Sequence, residues 1–540
     1  MLENNFATTV YLGGIVLTMD AANSIAEAVA IKDEKIIAVG TKETVAKFIG
    51  ENTRVIDLGG KTLMPGFYDG HSHCFLAGQV DLMNVNLNSP PTGKMNSIED
   101  YLAALRTKAQ ETLPGKWIQG WGYDDTLVTE KRHPTRDDLD LVSNEVPIFI
   151  THVSYHLGVA NSKALELAGI TKDTVAPEGG VIQKDPVTDE PNGVLEETAM
   201  FLVIDKIPPL TEEEIQDVIV HAGKMYAQEG VTTANEGTNN MVTKVFDYQK
   251  AVAQGRMPIR TVIWFEHSQV AEAHKLQNST NMITLGGVKT FQDGSIQGYT
   301  GYLSKPYHVP FKGDADYCAY PRMKREELFD IVKKTHNAGF QMIIHGNGDA
   351  AIDDILEAFC EAQKENPRKD PRHVIIHAQM AREDQLDKMK ELGIIPSFFV
   401  LHTYYWGDRH RDIFIGPERA FRINPCKSAL ERDMIFTIHC DTPVVPQTPL
   451  LLIWAAVNRI STSGSVIGAE QKLEPIEALR AYTINSAYQN FEENIKGSIE
   501  IGKLADFVIL SENPLTCDPM KIKDIQVLET IVGGNPVYKL

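Results

Sequence analysis

Leu63-Met-Pro-Gly-Phe-Tyr-Asp-Gly-His-Ser-His73 is the stretch of sequence that decides the fold. In it, an apolar run ends in two histidines separated by one residue. Residues i and i+2 of a strand point to the same face, so the pattern predicts that His71 and His73 direct their imidazoles to one point. Imidazole is a common zinc ligand. Alone, the pair also fits two surface histidines, and the interpretation therefore depends on partners further along the chain.

The composition is that of a globular protein with more than one domain. The chain has 540 residues, of which 43% are hydrophobic and 23% charged. A net charge of −20 argues against nucleic acid or an anionic membrane as a partner. The six cysteines lack C-x-x-C spacing, which favours reduced thiols over a disulfide framework. No secretory signal or long apolar span is visible, and we expect a cytoplasmic protein.

The middle of the chain alternates strand-like runs with helical patterns, as in residues 213–228, 325–338 and 349–365. This alternation favours βα units and a parallel sheet, and eight strands fit a (β/α)8 TIM barrel. The eight predicted strands are residues 63–73, 231–237, 260–267, 288–294, 341–349, 373–380, 394–402 and 434–442.

The two ends of the chain read as short strands with glycine turns, and Asp33-Glu34 is predicted to be a hairpin turn. We therefore predict an α/β protein with three parts. Residues 1–62 plus 490–540 form a small β-sandwich domain. Residues 63–79 plus 216–489 form the barrel, and residues 80–215 form an inserted α/β subdomain over the barrel mouth.

Polar residues with metal-binding side chains fall at the ends of the predicted strands. Two apolar runs end in histidine, at Met342-Ile-Ile-His345 and Val374-Ile-Ile-His377. Lys289 lies on the fourth strand and Asp441 ends the eighth. Each residue alone also fits a hydrogen-bonded core or rim position. Because the carboxyl ends of barrel strands meet at one face, the set predicts a metal site there.

The sequence resembles the amidohydrolase superfamily, specifically the family-3, YtcJ-like branch of metal-dependent hydrolases. The resemblance runs nearly end to end. The motifs that carry it are Pro65-Gly-Phe-Tyr-Asp-Gly-His-Ser-His73, Asn161-Ser-Lys-Ala-Leu165, Val288-Lys-Thr-Phe-Gln-Asp-Gly-Ser295, His345 with Gly348-Asp349, His377, Asp441-Thr-Pro-Val444, Ala481-Tyr-Thr-Ile-Asn485 and Gly497-Ser-Ile-Glu-Ile-Gly-Lys-Leu-Ala-Asp506.

The resemblance implies a role for each of six residues. His71 and His73 would bind the more buried metal, and His345 and His377 the second. Lys289, converted by CO2 to a carbamate, would bridge the two ions. The sixth residue, Asp441, would bind the first metal and act as the catalytic proton carrier. An unmodified lysine is cationic and cannot ligate, so a structural Lys289 would leave a site with one metal.

The expected chemistry is hydrolysis of an amide-type C–N bond in a small molecule such as an N-acyl or N-formyl amine. Metal coordination brings the pKa of water down to about 7 and supplies hydroxide. The donor set favours one or two Zn²⁺ ions, with Mn²⁺ or Fe²⁺ as alternatives. A deaminase and a lactonase or esterase are competing interpretations, because one barrel hosts many reactions. A non-catalytic regulatory protein with the same fold is a third.

Four residues are candidates for substrate binding: His156, His402, Trp121 and Tyr123. His156 stands in Ser154-Tyr-His-Leu, where related chains carry Asp-Gly-His, and His402 ends the seventh predicted strand. Aromatic residues also occur as plain packing, so these assignments depend on where the side chains lie. We expect a homodimer, as for many soluble enzymes.

Overall fold

The computed structural model describes residues 6–113, 115–239, 244–273, 275–276 and 279–540. The predicted domains also include residues 1–5, 114, 240–243, 274 and 277–278, which lie outside the described residues. Three sheets organise the described part of the chain, and we call them the central, terminal and insert sheets.

The central sheet has eight parallel strands that are neighbours in chain order. It curls so that the segments after its first and last strands meet. Beyond these strands, the Asp441 N–H donates to the His71 carbonyl over 3.1 Å, and the His73 N–H donates to the Thr442 carbonyl over 2.8 Å. The TIM-barrel-like α/β fold is therefore confirmed. The strands are Phe67–Tyr68, Val231–Asn239, Arg260–Glu266, Ile283–Phe291, Met342–Gly346, Val374–His377, Ile395–Phe398 and Thr437–Ile438.

Helices follow the strands of the central sheet and bury their apolar faces against it. The helix Glu212–Gln228 is typical: Thr211 caps it, acidic residues fill its first turn, and Val218 and Tyr226 face the core. The other helices of this part are Cys74–Met83, Lys244–Ala253, Val270–Ala273, Arg325–Asn337, Asp349–Glu365, Glu383–Leu392, Leu401–Arg409, Gly416–Ala420, Cys426–Leu430, Pro449–Asn458, Pro475–Ala481 and Ile484–Gln489.

The terminal sheet combines strands from both ends of the chain. Its order is Asn535–Lys539, Val527–Val532, Phe507–Leu510, Thr62–Pro65, Thr9–Leu17, Ile25–Lys32 and Lys35–Gly40, and Arg54–Asp57 also pairs with Thr9–Leu17. The predicted turn at Asp33-Glu34 is confirmed, since Lys32 pairs with Lys35 and Asp33 has a φ of 55°. The sandwich arrangement and the three domain boundaries stay predictions.

The predicted strand at residues 63–73 is wrong as one element. Thr62–Pro65 belongs to the terminal sheet and Phe67–Tyr68 to the central sheet. The chain crosses between them at Gly66, where a Cβ atom would lie only 2.1 Å from the Thr232 side chain. Glycine is therefore required for this close approach.

A buried ion pair joins the terminal sheet to the central sheet. The Arg260 guanidinium donates to both carboxylate oxygens of Asp506, over 2.7 and 2.9 Å. Both side chains are buried. Burial opposes the ionised Asp506, but Arg260 outweighs it and lowers the pKa of that carboxyl.

The insert sheet is mixed and carries three helices, Ile98–Glu111, Arg136–Asp140 and Ser162–Ala168. Its order is Gly180–Lys184, Pro191–Glu197, Leu157–Ala160, Ile148–His152, Ile118–Tyr123 and Val85–Asn86. Phe201–Ile204 and Lys42–Ala46 are further short helices. Among the described residues, none of the helices combines the length and apolarity that a bilayer span requires. The six cysteines are free thiols.

Candidate metal centre

The histidine pair lies in a loop, not on a strand. The first central strand ends at Tyr68, so the predicted strand geometry of His71 and His73 is wrong. Their backbones bond to the segment after the eighth strand, at Asp441 and Thr442, and His73 also forms an isolated bridge with Glu236 of the second strand. The two rings still converge, with centroids 5.0 Å apart. The predicted convergence therefore holds, but contacts between the loops after the first and eighth strands produce it.

Asp441 lies at the centre of the site. Its Oδ1 is 3.3 Å from His71 Nε2 and 3.5 Å from His73 Nε2, and its Oδ2 is 3.8 Å from His377 Nε2. Oδ1 is buried and has no hydrogen-bond donor within the described residues. The residue also has a φ of 56°, a conformation that costs free energy outside glycine. A buried, unsatisfied carboxylate oxygen is costly, and a bound cation would compensate it.

Lys289 reaches the same point from the fourth central strand. Its Nζ lies 3.3 Å from His71 Nε2, and its side chain is fully buried. Burial lowers the pKa of this amine, although Asp441 opposes the shift. Burial likewise raises the pKa of Asp441, and Lys289 opposes that shift. The neutral amine is the form that reacts with CO2, so the environment fits the predicted carbamate.

His345 and His377 face each other at the ends of the fifth and sixth strands. The Nδ1 of His345 lies 3.2 Å from the Nε2 of His377. Burial lowers the pKa of both imidazoles well below the usual range. Neutral imidazole is the metal-binding form. His377 has a φ of 69°, which adds a second strained backbone at the site.

Three of the six residues predicted to bind metal meet around one buried point, and His73, His345 and Lys289 each contact a member of that group. The ligand atoms of His71, His377 and Asp441 all lie within 4.8 Å of one another. Imidazole nitrogens with carboxylate oxygens are a donor set typical of zinc and related ions. The residues present fit a metal centre, and the individual roles of the six stay predictions.

Of the candidate substrate residues, His156 lies nearest to this centre. Its ring centroid is 5.2 Å from that of His345. Its Nδ1 is 2.9 Å from Glu197 Oε2, and Arg322 Nη1 is 3.8 Å from the same oxygen. Glu197 is buried and has a φ of 50°. The sequence interpretation missed Glu197. This residue lies 41 positions along the chain from His156, the histidine that it orients.

The placement of His402 on the seventh strand is wrong. That strand ends at Phe398, and His402 lies in the first turn of the helix Leu401–Arg409. Its ring packs against Phe399 at 4.4 Å and lies 6.2 Å from the ring of His377. Burial lowers the pKa of His402 to about 3. His402 is thus a neutral ring that lies next to His377, one of the predicted metal ligands.

The two aromatic candidates differ in position. The indole N–H of Trp121 donates to the Pro443 carbonyl over 3.1 Å, which brings the insert to the loop after the eighth strand. Tyr123 instead contacts residues of the insert. Its hydroxyl lies 3.3 Å from His133 Nδ1, and its ring packs against Tyr101 and His152. A substrate role stays a prediction for both, and these contacts favour Trp121.

A second group of side chains, Asp124, Asp125 and His152, has metal-like spacing. The Ser154 backbone N–H donates to His152 Nδ1 over 3.1 Å. The other ring nitrogen of His152, Nε2, lies 3.2 Å from Asp125 Oδ1. Arg409 Nη1 lies 2.8 Å from Asp124 Oδ2. Arg409 pairs with Asp124, and His133 Nδ1 lies 3.7 Å from Asp125 Oδ1, so protein groups already surround both carboxylates.

A further histidine, His439, was missed by the sequence interpretation. It is fully buried, and its Nε2 lies 3.2 Å from the Nδ1 of His377. A weaker signal for it existed, because Phe436-Thr-Ile-His439 is a β-prone run that ends in histidine, although Thr437 interrupts its apolar character.

A cavity of about 170 Å³ lies between the insert and the loops of the central sheet. Trp406, Val153 and Val444 line it, together with Asp124 and Arg409. Val153 and Val444 are each three residues from His156 and Asp441 respectively. None of the six predicted metal ligands is among the residues that line this cavity, so it lies beside the candidate centre and does not contain it.

The central sheet has eight parallel strands and is curled, and imidazoles, a lysine and a carboxylate gather at its carboxyl ends. This is the arrangement of enzymes with a TIM-barrel-like fold. Within that class the chain belongs to the amidohydrolase family, whose family-3 model matches residues 54–538. The resemblance seen in the sequence is confirmed.

Relatives match the chain over nearly its whole length. It is 28% identical to the N-substituted formamide deformylase of Arthrobacter pascens, over 97% of each chain. It is 27% identical to YtcJ of Bacillus subtilis, a protein with a provisional amidohydrolase name, over 98% of this chain and 99% of that one. A metal-dependent hydrolase of uncharacterized activity from Pyrococcus horikoshii OT3 has a similar structure. Its TM-score is 0.76 at 26% identity, covering 95% of this chain and 99% of that one.

Proposed function

We propose that this protein is a metal-dependent hydrolase that cleaves the amide-type C–N bond of a small N-acyl or N-formyl amine. The observation that carries the proposal is the convergence of His71, His377 and Asp441 on one buried point, where a carboxylate oxygen has no donor in the described part of the chain. The similarity to a protein named N-substituted formamide deformylase supports C–N cleavage and a formamide substrate.

One or two Zn²⁺ ions are the proposed cofactor, with Mn²⁺ or Fe²⁺ as alternatives. His71, His73 and Asp441 would hold one ion, and His345 and His377 the other. Lys289, as a carbamate, would bridge them. Bound metal supplies hydroxide at neutral pH and polarises the substrate carbonyl.

Asp441 is the proposed proton carrier. Its carboxylate faces His71, His73 and His377, so it lies beside the position where the attacking oxygen must be held. It takes a proton during attack on the carbonyl and gives it to the departing amine. Without that proton the amine would have to depart as an amide anion, which is a poor leaving group. The return of the proton is therefore required for C–N cleavage.

His156 and Trp121 are the proposed substrate contacts at the mouth of the site. Glu197 holds the Nδ1 side of the His156 ring, which fixes its orientation. The other ring nitrogen of His156 is then available to a substrate group next to His345. His402 lies next to the predicted ligand His377, and Tyr123 lies within the insert. Both would affect the substrate site only through packing.

The organisation of the protein is also proposed. A terminal β-sandwich domain, a barrel and an insert, at the boundaries given above, would appear as protected fragments in limited proteolysis. A homodimer would have twice the mass of the 540-residue chain in light scattering. A cytoplasmic location is tested by fractionation of the source cells.

The activity test uses zinc-loaded protein and three matched substrate series that share one alkyl group: N-formyl amines, N-acetyl amines and formate esters. Release of primary amine is followed with an amine-reactive fluorophore, and release of formate or acetate is measured in all three series so that ester cleavage is detected. We expect amine release from one or both amide series, and its loss in Asp441→Asn. Cleavage of the esters alone would assign the site to an esterase or lactonase. Zinc binding without any turnover would favour the non-catalytic alternative.

A further inference from the structure

Arg322 is a cation beside the candidate centre whose N–H groups are not used by the protein. Its guanidinium forms no hydrogen bond within the described residues, although only 18% of the side chain is exposed. We propose that Arg322, assisted by the Tyr155 hydroxyl, binds a carboxylate of the substrate, so that the protein prefers N-acyl amines that carry an acid group. This specificity rests on the proposed function, since it concerns the substrate of the same site.

The backbone holds Arg322 at the carboxyl end of the central sheet. Its N–H donates to the Gln292 carbonyl over 2.7 Å, directly after the fourth strand, which carries Lys289. The insert packs against it from the other side, since a Cβ atom at Gly179 would lie 2.2 Å from the Arg322 carbonyl oxygen. Substrates of barrel enzymes bind at this face of the sheet. Arg322 therefore lies where the insert meets the strand that leads to the site.

The guanidinium of Arg322 lies over the ring of Phe291. Its central carbon is 4.6 Å from the ring centroid, and Lys289 Nζ is 5.1 Å from the same centroid. The Phe291 ring also packs against that of His345, with centroids 5.4 Å apart. Arg322 thus shares one aromatic ring with two predicted metal ligands. Since this ring offers no oxygen acceptor, the planar fork of N–H donors stays available for a carboxylate, which it can bind in a bidentate manner.

Glu197 offsets the charge of Arg322 without using its donors. Among the residues that the structure describes, it is the carboxylate that pairs with Arg322, at 3.8 Å between Oε2 and Nη1. This distance is too long for a hydrogen bond. The same oxygen lies 2.9 Å from His156 Nδ1, so its hydrogen bond goes to the histidine. A bound carboxylate would supply the acceptors that the Arg322 N–H groups lack.

Tyr155 provides a second donor from the insert. Its hydroxyl has no hydrogen-bond partner in the described part of the chain, and its ring packs against Trp121 with centroids 5.4 Å apart. Burial raises the pKa of Tyr155, and the charge of Arg322 opposes that shift, so the two side chains are near each other. Tyr155 has a φ of 63°, a costly conformation outside glycine. Strained residues of this kind cluster at ligand sites.

Two matched pairs of amides test the preference on zinc-loaded, full-length protein. Racemic N-acetylleucine is compared with N-acetylisoamylamine, which lacks only the carboxylate. N-Succinylisoamylamine is compared with N-butyrylisoamylamine, in which a methyl group replaces the acid. The first pair places the acid on the amine half and the second on the acyl half, so the preferred acid identifies the half that Arg322 binds. We expect kcat/KM of that acid to exceed that of its neutral partner by about 10- to 100-fold, as for hydrogen bonds to a charged group.

Arg322→Met keeps an extended side chain over Phe291 but removes the donors. We expect it to lose the preference, through a higher KM for the acid and little change for the neutral amide. Tyr155→Phe should lose a smaller part of the preference. Arg325→Met is the matched control, because the Arg325 guanidinium also lies over a ring, 5.0 Å from the centroid of Phe329, but pairs with acidic residues of the helix Asp349–Glu365. It should keep the preference of the wild type.

The preference is a ratio measured within one sample, so a variant that is partly unfolded still reports it. If Arg322→Met does not fold at all, Arg322→Lys decides: it keeps the charge beside Glu197, lacks the planar fork, and should lose part of the preference. Three results would overturn the inference: no preference for either acid in the wild type, an unchanged preference in the Arg322 variant that folds, or an equal loss in Arg325→Met.

Isothermal titration calorimetry with the same four compounds separates this outcome from that of the proposed function. A wild type that binds an acid more tightly than its neutral partner, loses that difference in Arg322→Met, and cleaves none of the compounds refutes hydrolysis and leaves the inference standing. Equal binding and equal cleavage of the members of each pair leave hydrolysis standing and refute the inference.

Discussion

Replacing Asp441 with asparagine separates proton transfer from metal binding. Asparagine has the same shape and keeps one oxygen in place of Oδ1, which lies 3.3 Å from His71 and 3.5 Å from His73. The four predicted imidazole ligands are unchanged, so we expect the variant to retain zinc. What it loses is the group that accepts a proton during attack and returns it to the leaving amine.

The size of the effect follows from this role. General acid–base catalysis contributes about 10²- to 10⁴-fold. At about 1.36 kcal/mol for each factor of ten, the barrier rises by about 3 to 5 kcal/mol. We expect the loss to fall on kcat, because the missing interaction develops in the transition state and not in substrate binding.

The assay combines amine release from the best N-acyl amine with metal content by elemental analysis of the same sample. Asp441→Asn should contain zinc at the wild-type ratio and show the reduced kcat with little change in KM. A kcat within threefold of the wild type, at full zinc content, would remove Asp441 from the proton transfer. Loss of zinc together with activity would show that its role is ligation alone.

Three further predictions concern the metal ligands and the fold. His71→Ala should lose the ion shared with Asp441, which elemental analysis would detect as a lower zinc-to-protein ratio; an unchanged ratio would contradict the assignment of His71. Lys289→Met should reduce two ions to one, and the intact mass of the native wild type should exceed the sequence mass by one CO2; an unmodified mass would support a structural lysine. Arg260→Met should lower the free energy of unfolding by about 3 to 5 kcal/mol in urea denaturation, because it leaves Asp506 buried and unpaired. Since Arg260 holds the pKa of Asp506 below its unfolded value, this stabilisation is present above about pH 4 and is lost as the pH falls. The variant should therefore lack that part of the acid dependence, and an equal acid dependence in both proteins would refute the assignment.

The sequence predicted the order of the strands better than their lengths. Apolar runs located all eight central strands, because a buried parallel strand has little other signature. The eighth was predicted over residues 434–442, yet only Thr437–Ile438 pairs as a strand. The residues that follow bond to the first histidine loop instead, through Asp441 and Thr442. Contacts between residues 370 positions apart set that boundary, and local periodicity does not contain them.

The candidate site was predictable because strand ends meet at one face of a barrel. His345 and His377 could be selected from their runs alone, and the structure brings them within 3.2 Å. His439 ends a run that Thr437 interrupts, and it was passed over because its apolar pattern is weaker. Glu197 had no sequence signal at all. What marks it out is its strained backbone and its contact with His156, and both appear only in the folded structure.

Anomalous X-ray scattering at the zinc absorption edge, from crystals of the full chain grown with zinc, tests the central claim most directly. We predict a peak about 2.0 to 2.2 Å from nitrogen atoms of His71 and His73 and an oxygen of Asp441, and a second within that distance of His345 Nδ1 and His377 Nε2 if two ions bind. A crystal without a peak among these side chains, or with zinc bound only elsewhere on the molecule, would contradict the account.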